Sequence, residues 1–211
     1  MIKIAILSLS IFLFSSCSLR YNPEAIPIAR NLIFGAQDIK IDTNYYTNEN
    51  ASFAKIKFGR SYIIIPGLVA VNNNILSWET AYNEKIYTQN GKILSISGFD
   101  FDSTISDFQE VKFSKDNDLK RAFNITFSKP SGFFNQKSEF SFYGQEEIDY
   151  LVDEKRIADI YHERVTTVGF KWDFVNKYWI DKESGLVLQS IQRIHPKLPE
   201  IKIAYYYKFS N

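Results

Sequence analysis

From residue 51 onward, apolar and polar side chains alternate with a period of two, the spacing of strands half-buried against a core. Phe53, Lys55 and Lys57 oppose Ala54, Ile56 and Phe58. Residues 61–71 are almost wholly apolar, which predicts a strand buried on both faces, bent at Pro66-Gly67. Asn72-Asn73-Asn74 predicts a turn. Next, Ile75, Ser77 and Glu79 oppose Leu76, Trp78 and Thr80. Segments 86–88 and 92–97 flank Asn90-Gly91, the strongest hairpin signal in the chain.

The middle is less regular. Residues 98–107 are acidic and predict a loop or a short helix. Strands are expected at 111–113, 122–128 and 138–143, with 146–153 either continuing the last of these or forming an acidic loop. A long strand is expected at 157–168. In the C-terminal third Phe170, Trp172 and Phe174 share one strand face, and Tyr178-Trp179-Ile180 leads into a turn at 181–185. Strands at 186–194 and 201–209 flank a stiff link containing Pro196 and Pro199. Many short strands with few helices predict a mainly β fold, an antiparallel sandwich or an open half-barrel. One short helix is expected near the N-terminus, over 23–34, with Asn22 as cap and Pro23 in its first turn.

The first seventeen residues have a different pattern. Lys3 precedes an apolar run over 4–14, and Ser15-Ser16 lead to Cys17. Roughly ten apolar residues suit a secretory signal and are too few to cross a bilayer, which takes about twenty. Small residues directly before a cysteine mark a bacterial lipoprotein. Cys17 is therefore the expected lipidation site, palmitate included. The expected layout is a signal peptide over 1–16, a lipidated tether over 17–22 and one β domain over 23–211. Several acyl chains anchor stably where one does not. Ser18, in place of the aspartate that retains enteric lipoproteins at the inner membrane, points to the outer membrane, with the domain facing the periplasm.

Composition narrows the chemistry. Of 211 residues, 25 are Lys or Arg and 24 are Asp or Glu. Losing Lys3 with the signal leaves 24 of each, so the mature chain has no net charge. That balance gives no electrostatic case for binding nucleic acid. Cys17 is the only cysteine. Once acylated, it leaves no thiol for catalysis, a cysteine metal site or a disulfide.

No catalytic, metal or cofactor site is expected. His162 and His195 are the only histidines and lie far apart in sequence. Asp100 with Asp102, and Glu146 and Glu147 with Asp149, are the carboxylate groupings a glycosidase could use, but acidic loops have the same composition. Trp78, Tyr178 and Trp179 are candidate glycan-stacking residues. As strand neighbours, Tyr178 and Trp179 point to opposite faces, so one belongs to the core. The last strand has the look of a membrane-barrel strand, but Lys-rich strands such as 55–58 lack the lipid-facing alternation.

Three segments resemble the YjbF/GfcB family of lipoproteins associated with group 4 capsule and exopolysaccharide export. One is the cysteine signal at Cys17. The second is 51–99, with Leu76-Ser77-Trp78, Gln89-Asn90-Gly91-Lys92-Ile93 and Gly98-Phe99. The third is 174–201, with Phe174, Asn176, Tyr178-Trp179-Ile180-Asp181, Ser184-Gly185-Leu186-Val187, Ser190-Ile191-Gln192 and the link from Pro196 to Pro199. Phe99 stands where the family has Leu, and 103–158 matches only in strand content. The resemblance implies an outer-membrane lipoprotein with an antiparallel β fold, similar to the open barrels of lipoprotein carriers. It implies a non-enzymatic part in exporting or assembling surface polysaccharide, with polysaccharide or export proteins as partners beside the membrane. The other expectation is a carrier-like module holding an acyl chain in an open barrel, suggested by the large supply of Phe, Ile and Tyr.

Overall fold

The computed structural model describes residues 38–115 and 119–208. Cys17, the signal and tether, and the expected helix over 23–34 lie outside them. The described residues hold one short helix, α1 (Thr43–Asn48), and thirteen strands. These are β1 (Phe53–Phe58), β2 (Tyr62–Ile64), β3 (Gly67–Asn72), β4 (Ile75–Glu79), β5 (Lys85–Gln89), β6 (Lys92–Ser97) and β7 (Ser103–Ser106). There follow β8 (Leu119–Ser128), β9 (Ser131–Leu151), β10 (Glu154–Thr167), β11 (Phe174–Asp181), β12 (Val187–Gln192) and β13 (Ile201–Tyr206).

The strands form an antiparallel meander in which each neighbours the next, and β13 pairs back onto β1 from Phe53↔Tyr206 to Phe58↔Ile201. β2 and β3 lie along the same edge of β1, one through Ile56↔Ile64 and the other through Phe53↔Gly67. Together they make one stave interrupted at Pro66. The result is a closed barrel of twelve staves. It is neither the expected sandwich nor the open half-barrel, because closure pairs the two edges that an open sheet leaves bare.

Several local expectations change for the same reason. A barrel wall has an outside, so 61–71 is not buried on both faces: Tyr62, Val69 and Val71 are exposed. Residues 103–106 form β7, pulled into the wall by pairing with β6 and β8, where a loop or helix was expected. Residues 111–113 are not a strand; they run irregularly across the barrel mouth with Val111 buried. β9 continues through 146–151, and Phe170 and Trp172 lie in the turn before β11. Both central residues of the 72–75 and 89–92 turns have positive φ (Asn73, Asn74, Asn90 and Gly91), as two-residue hairpins with the right-handed twist require.

The main core fills the inside of the barrel. Trp78, Tyr178 and Tyr205 are its largest fully buried side chains, with Ile56, Phe58, Ile86, Ile93 and Ile201 around them. A second, smaller cluster lies outside the wall. There Phe53, Leu188 and Tyr206 pack with Ile41 and with Ile148, Tyr150 and Leu151 from the tip of the β9–β10 hairpin. α1 is held nearby: Asp42 caps it by accepting the Tyr45 N–H at 2.7 Å, and Tyr46 donates its hydroxyl to the Tyr207 carbonyl at 2.6 Å. A short helix at 43–48 was not expected from the Asn-rich sequence. None of its residues is fully buried, and Tyr46 packs against side chains from distant strands, which local sequence does not show.

A polar cross-brace runs through the apolar interior. Lys92 Nζ on β6 lies 2.6 Å from Glu163 Oε1 on β10, with both side chains buried. Glu163 Oε2 also accepts from Asn176 Nδ2 at 2.8 Å and from the Tyr178 hydroxyl at 2.7 Å. Gln192 on β12 accepts from the Ile93 N–H at 2.9 Å and donates to the Gly91 carbonyl at 2.7 Å. Tyr205 donates to the same carbonyl at 3.0 Å. Lys92 also sits 4.8 Å from the Phe123 ring centre, a favourable place for a cation. Burial, with the Glu163 charge beside it, pushes the Tyr178 hydroxyl well above its ordinary pKa, so it remains a donor. These bonds tie the β5–β6 hairpin to the wall opposite.

The outward positions of the wall include Lys57, Lys202, Lys177 and Arg164, where a membrane-spanning barrel has an apolar band. Among the described residues, no helix is long and apolar enough to cross a membrane.

The cross-brace gives a direct expectation. Glu163→Ala strands a buried cation and should lower unfolding free energy in urea by about 3–5 kcal/mol. The double variant Lys92→Met/Glu163→Leu should recover much of that loss. A single variant as stable as the wild type would show that the pair does not brace the barrel.

Candidate functional site

At the barrel end bearing turns 73–74, 90–91 and 182–186, the interior opens into a cleft of about 720 Å³. Leu76, Val111, Phe113, Tyr161, Val187 and Tyr207 give it apolar and aromatic walls. Lys112, Asp159, Asp181 and Lys182 supply charge. A largely apolar concavity of this size with a few convergent polar groups suits a small ligand or one segment of a larger one.

Each part of the cleft has a local cause. Gly91 reaches the mouth at φ 73°, and a Cβ there would lie 2.5 Å from a Val187 methyl, so the hairpin can seat only as glycine. Residues 108–113 cross the mouth because Asn90 donates to the Val111 carbonyl at 3.0 Å and because Phe113 packs on Phe140, Tyr161 and Tyr178. Asp159 bonds Lys115 at 2.7 Å and also accepts from Gln145. Burial alone would raise its pKa, but these hydrogen bonds outweigh that and hold it below the usual carboxylate range. Asp181 is almost fully buried and shapes the 181–185 turn: its Oδ2 accepts the Ser184 N–H at 3.1 Å and the Ser184 hydroxyl at 2.6 Å, with Arg156 3.4 Å away.

The structure separates the three candidate stacking residues. Trp78 and Tyr178 have no face open to a sugar ring: both are wholly buried inside the barrel, Trp78 donating to Thr88 at 2.8 Å and Tyr178 to Glu163. Their expected stacking role is corrected by closure, which turns that side of β4 and β11 inward. Trp179 points outward, half-buried, and donates its indole N–H to Glu146.

The remaining candidates scatter. His162 lies on the outer wall, stacked on Tyr143. His195 lies in the link after β12, buried between Phe101 and Phe127; burial lowers its pKa, and Nδ1 accepts the Lys197 N–H at 3.1 Å. Asp102 accepts the Phe99 N–H in its own turn. Glu147 pairs with Lys155 at 2.7 Å on the surface. Among the described residues, no group of three His, Cys, Asp or Glu side chains could hold a metal ion. Sequence reasoning missed the cleft, whose segment 108–113 has no repeating pattern. Closure of the sheet also removes the long open trough that the acyl-carrier expectation requires.

Comparison with known proteins follows from this architecture. The fold recurs in the crystal structure of the hypothetical lipoprotein YmcC from Escherichia coli, with a TM-score of 0.69 at 16% sequence identity. The match covers 88% of this chain and 97% of that one, and at this identity it shows the fold alone. A search of curated proteins finds no match. The family is shown by sequence: the model for the group 4 capsule polysaccharide lipoprotein GfcB, YjbF, matches residues 28–205, and the chain belongs to that family.

Asp181→Ala should lower stability in urea by about 1–3 kcal/mol, because two donors of the 181–185 turn lose their acceptor. Ser184→Ala, which keeps the backbone bond, should cost less. Equal losses would show that the backbone bond adds nothing.

Proposed function

We propose that this chain is a non-enzymatic lipoprotein that assists export or assembly of capsular or extracellular polysaccharide. It is held at the outer membrane through acylated Cys17, faces the periplasm, and works by binding glycan or an export protein. The observation that carries this reading is the family match over residues 28–205. The end cleft supports it, since half-exposed Phe113 offers aromatic surface beside the charged groups Lys112 and Asp159. Glu147 is paired with Lys155 on the surface, Asp102 closes its own turn and Glu146 accepts from Trp179. These placements favour binding over glycoside hydrolysis, which needs two poised acids.

Deleting the gene should reduce surface polysaccharide, and the wild-type gene should restore it. Unchanged polysaccharide in the deletion strain would overturn the reading. Cys17→Ser should lose labelling by a palmitate analogue and leave the membrane fraction. Labelling that persists would remove the lipid anchor from the proposal.

A further inference from the structure

The chain's charges balance overall, yet one part of the barrel wall does not balance. Lys57 on β1 is directly opposite Lys202 on β13. Lys202 is opposite Ile191, Ile191 opposite Lys177, and Lys177 opposite His162. Arg164 is two residues beyond His162 on the same outer face, level with Glu139, and Glu139 is level with Lys120 on β8. Lys137 lies two residues from Glu139. Lys120, Lys137, Arg164, Lys177 and Lys202 are exposed, and Lys57 and His162 are half-exposed.

Lys57, Lys137, Arg164 and Lys177 have no carboxylate partner within 4.0 Å among the described residues. The two acids in the band pair loosely, Glu139 with Lys120 at 3.3 Å and Glu200 with Lys202 at 3.9 Å. Exposed pairs of this kind contribute little and are readily exchanged. A hollow of about 490 Å³ lies among Lys120, Lys137 and Arg164, opened by small Ala122. Beside the band, Tyr143 stacks on His162 with ring centres 4.1 Å apart and leaves its outer face exposed. Clustered cations lower the energy of a polyanion at this wall and speed its encounter.

We propose that this band binds an acidic polysaccharide chain, threaded around the outside of the barrel, with its carboxylates or phosphates on the Lys and Arg side chains. The inference rests on the reading that the protein handles exported polysaccharide. The shape of the band favours a flexible polymer over a membrane. It crosses seven consecutive staves of twelve, six steps of about 4.8 Å, or roughly 29 Å of arc. Half a barrel's circumference points Lys57 and Lys120 in nearly opposite directions, so a planar lipid surface meets only part of the band. A flexible chain follows all of it.

The test uses the full-length lipidated protein in non-ionic detergent, titrated with polygalacturonate oligomers, with neutral dextran of matched length, and with phosphatidylglycerol vesicles. Polygalacturonate should bind, weaken with added salt and outcompete dextran. The surface variant Lys137→Gln/Arg164→Gln/Lys177→Gln should weaken binding about tenfold or more with an unchanged thermal midpoint. Lys85→Gln/Lys155→Gln, away from the band, should bind as wild type. Equal affinity for dextran, or a triple variant that binds as tightly as wild type, would overturn the assignment. Binding to vesicles but not to polygalacturonate, lost in the triple variant, would overturn it in favour of a membrane contact. If polygalacturonate fails while the deletion strain still loses surface polysaccharide, the capsule role stands and only this wall is misassigned.

Discussion

The barrel depends on one buried charge pair, Lys92 with Glu163. Twelve staves enclose more width than a single layer of side chains fills, since about eight already make an interior that side chains just fill. This molecule brings its β5–β6 hairpin across the mouth and ties it to the opposite wall. Two charges removed from water are costly, and only a complete set of partners offsets that cost. Glu163 has that set: one ammonium, one amide and one phenol. Specifying which wall meets which is a task suited to such a network, because apolar packing alone tolerates many registers.

The network also explains why the sequence was partly legible. Lys92, Asn176 and Gln192 enter the resemblance with no role attached, whereas Gly91 reads as a turn residue and Tyr178 as a stacking ring. The structure places them on the same interior brace. The hairpins at Asn73-Asn74 and Asn90-Gly91 were legible because positive φ is a local demand that residue type reveals. Closure was not, because the pairing of Phe53 with Tyr206 joins strands at opposite ends of the chain, and alternation in one strand is the same in a sandwich, a trough or a barrel. For the same reason Trp78 and Tyr178 read as candidate surface rings. Period two says that a side chain has a face, not which face is inside.

Charge follows the same logic. A count gives 25 basic against 24 acidic residues, and by composition that argues against an electrostatic partner. Register redistributes the count, gathering lysines and an arginine onto the outer wall from β1 round to β8 while acids concentrate toward the tip of the β9–β10 hairpin, over 146–159. The inside and outside of one strand can therefore serve different ends, as β10 does with Glu163 in the brace and Arg164 on the wall.

Closure by β1 and β13 also sets an order of events in time. Synthesis proceeds from the N-terminus at about 5–20 residues per second. β1 is complete at Phe58, yet its partner strand is not finished until Tyr206, so β1 has to wait for roughly seven to thirty seconds. During that interval its backbone donors and acceptors form an open edge on which another chain can add. Lys55 and Lys57, which face outward on this strand, place charge on that temporary edge, where it discourages premature pairing until the last strand arrives.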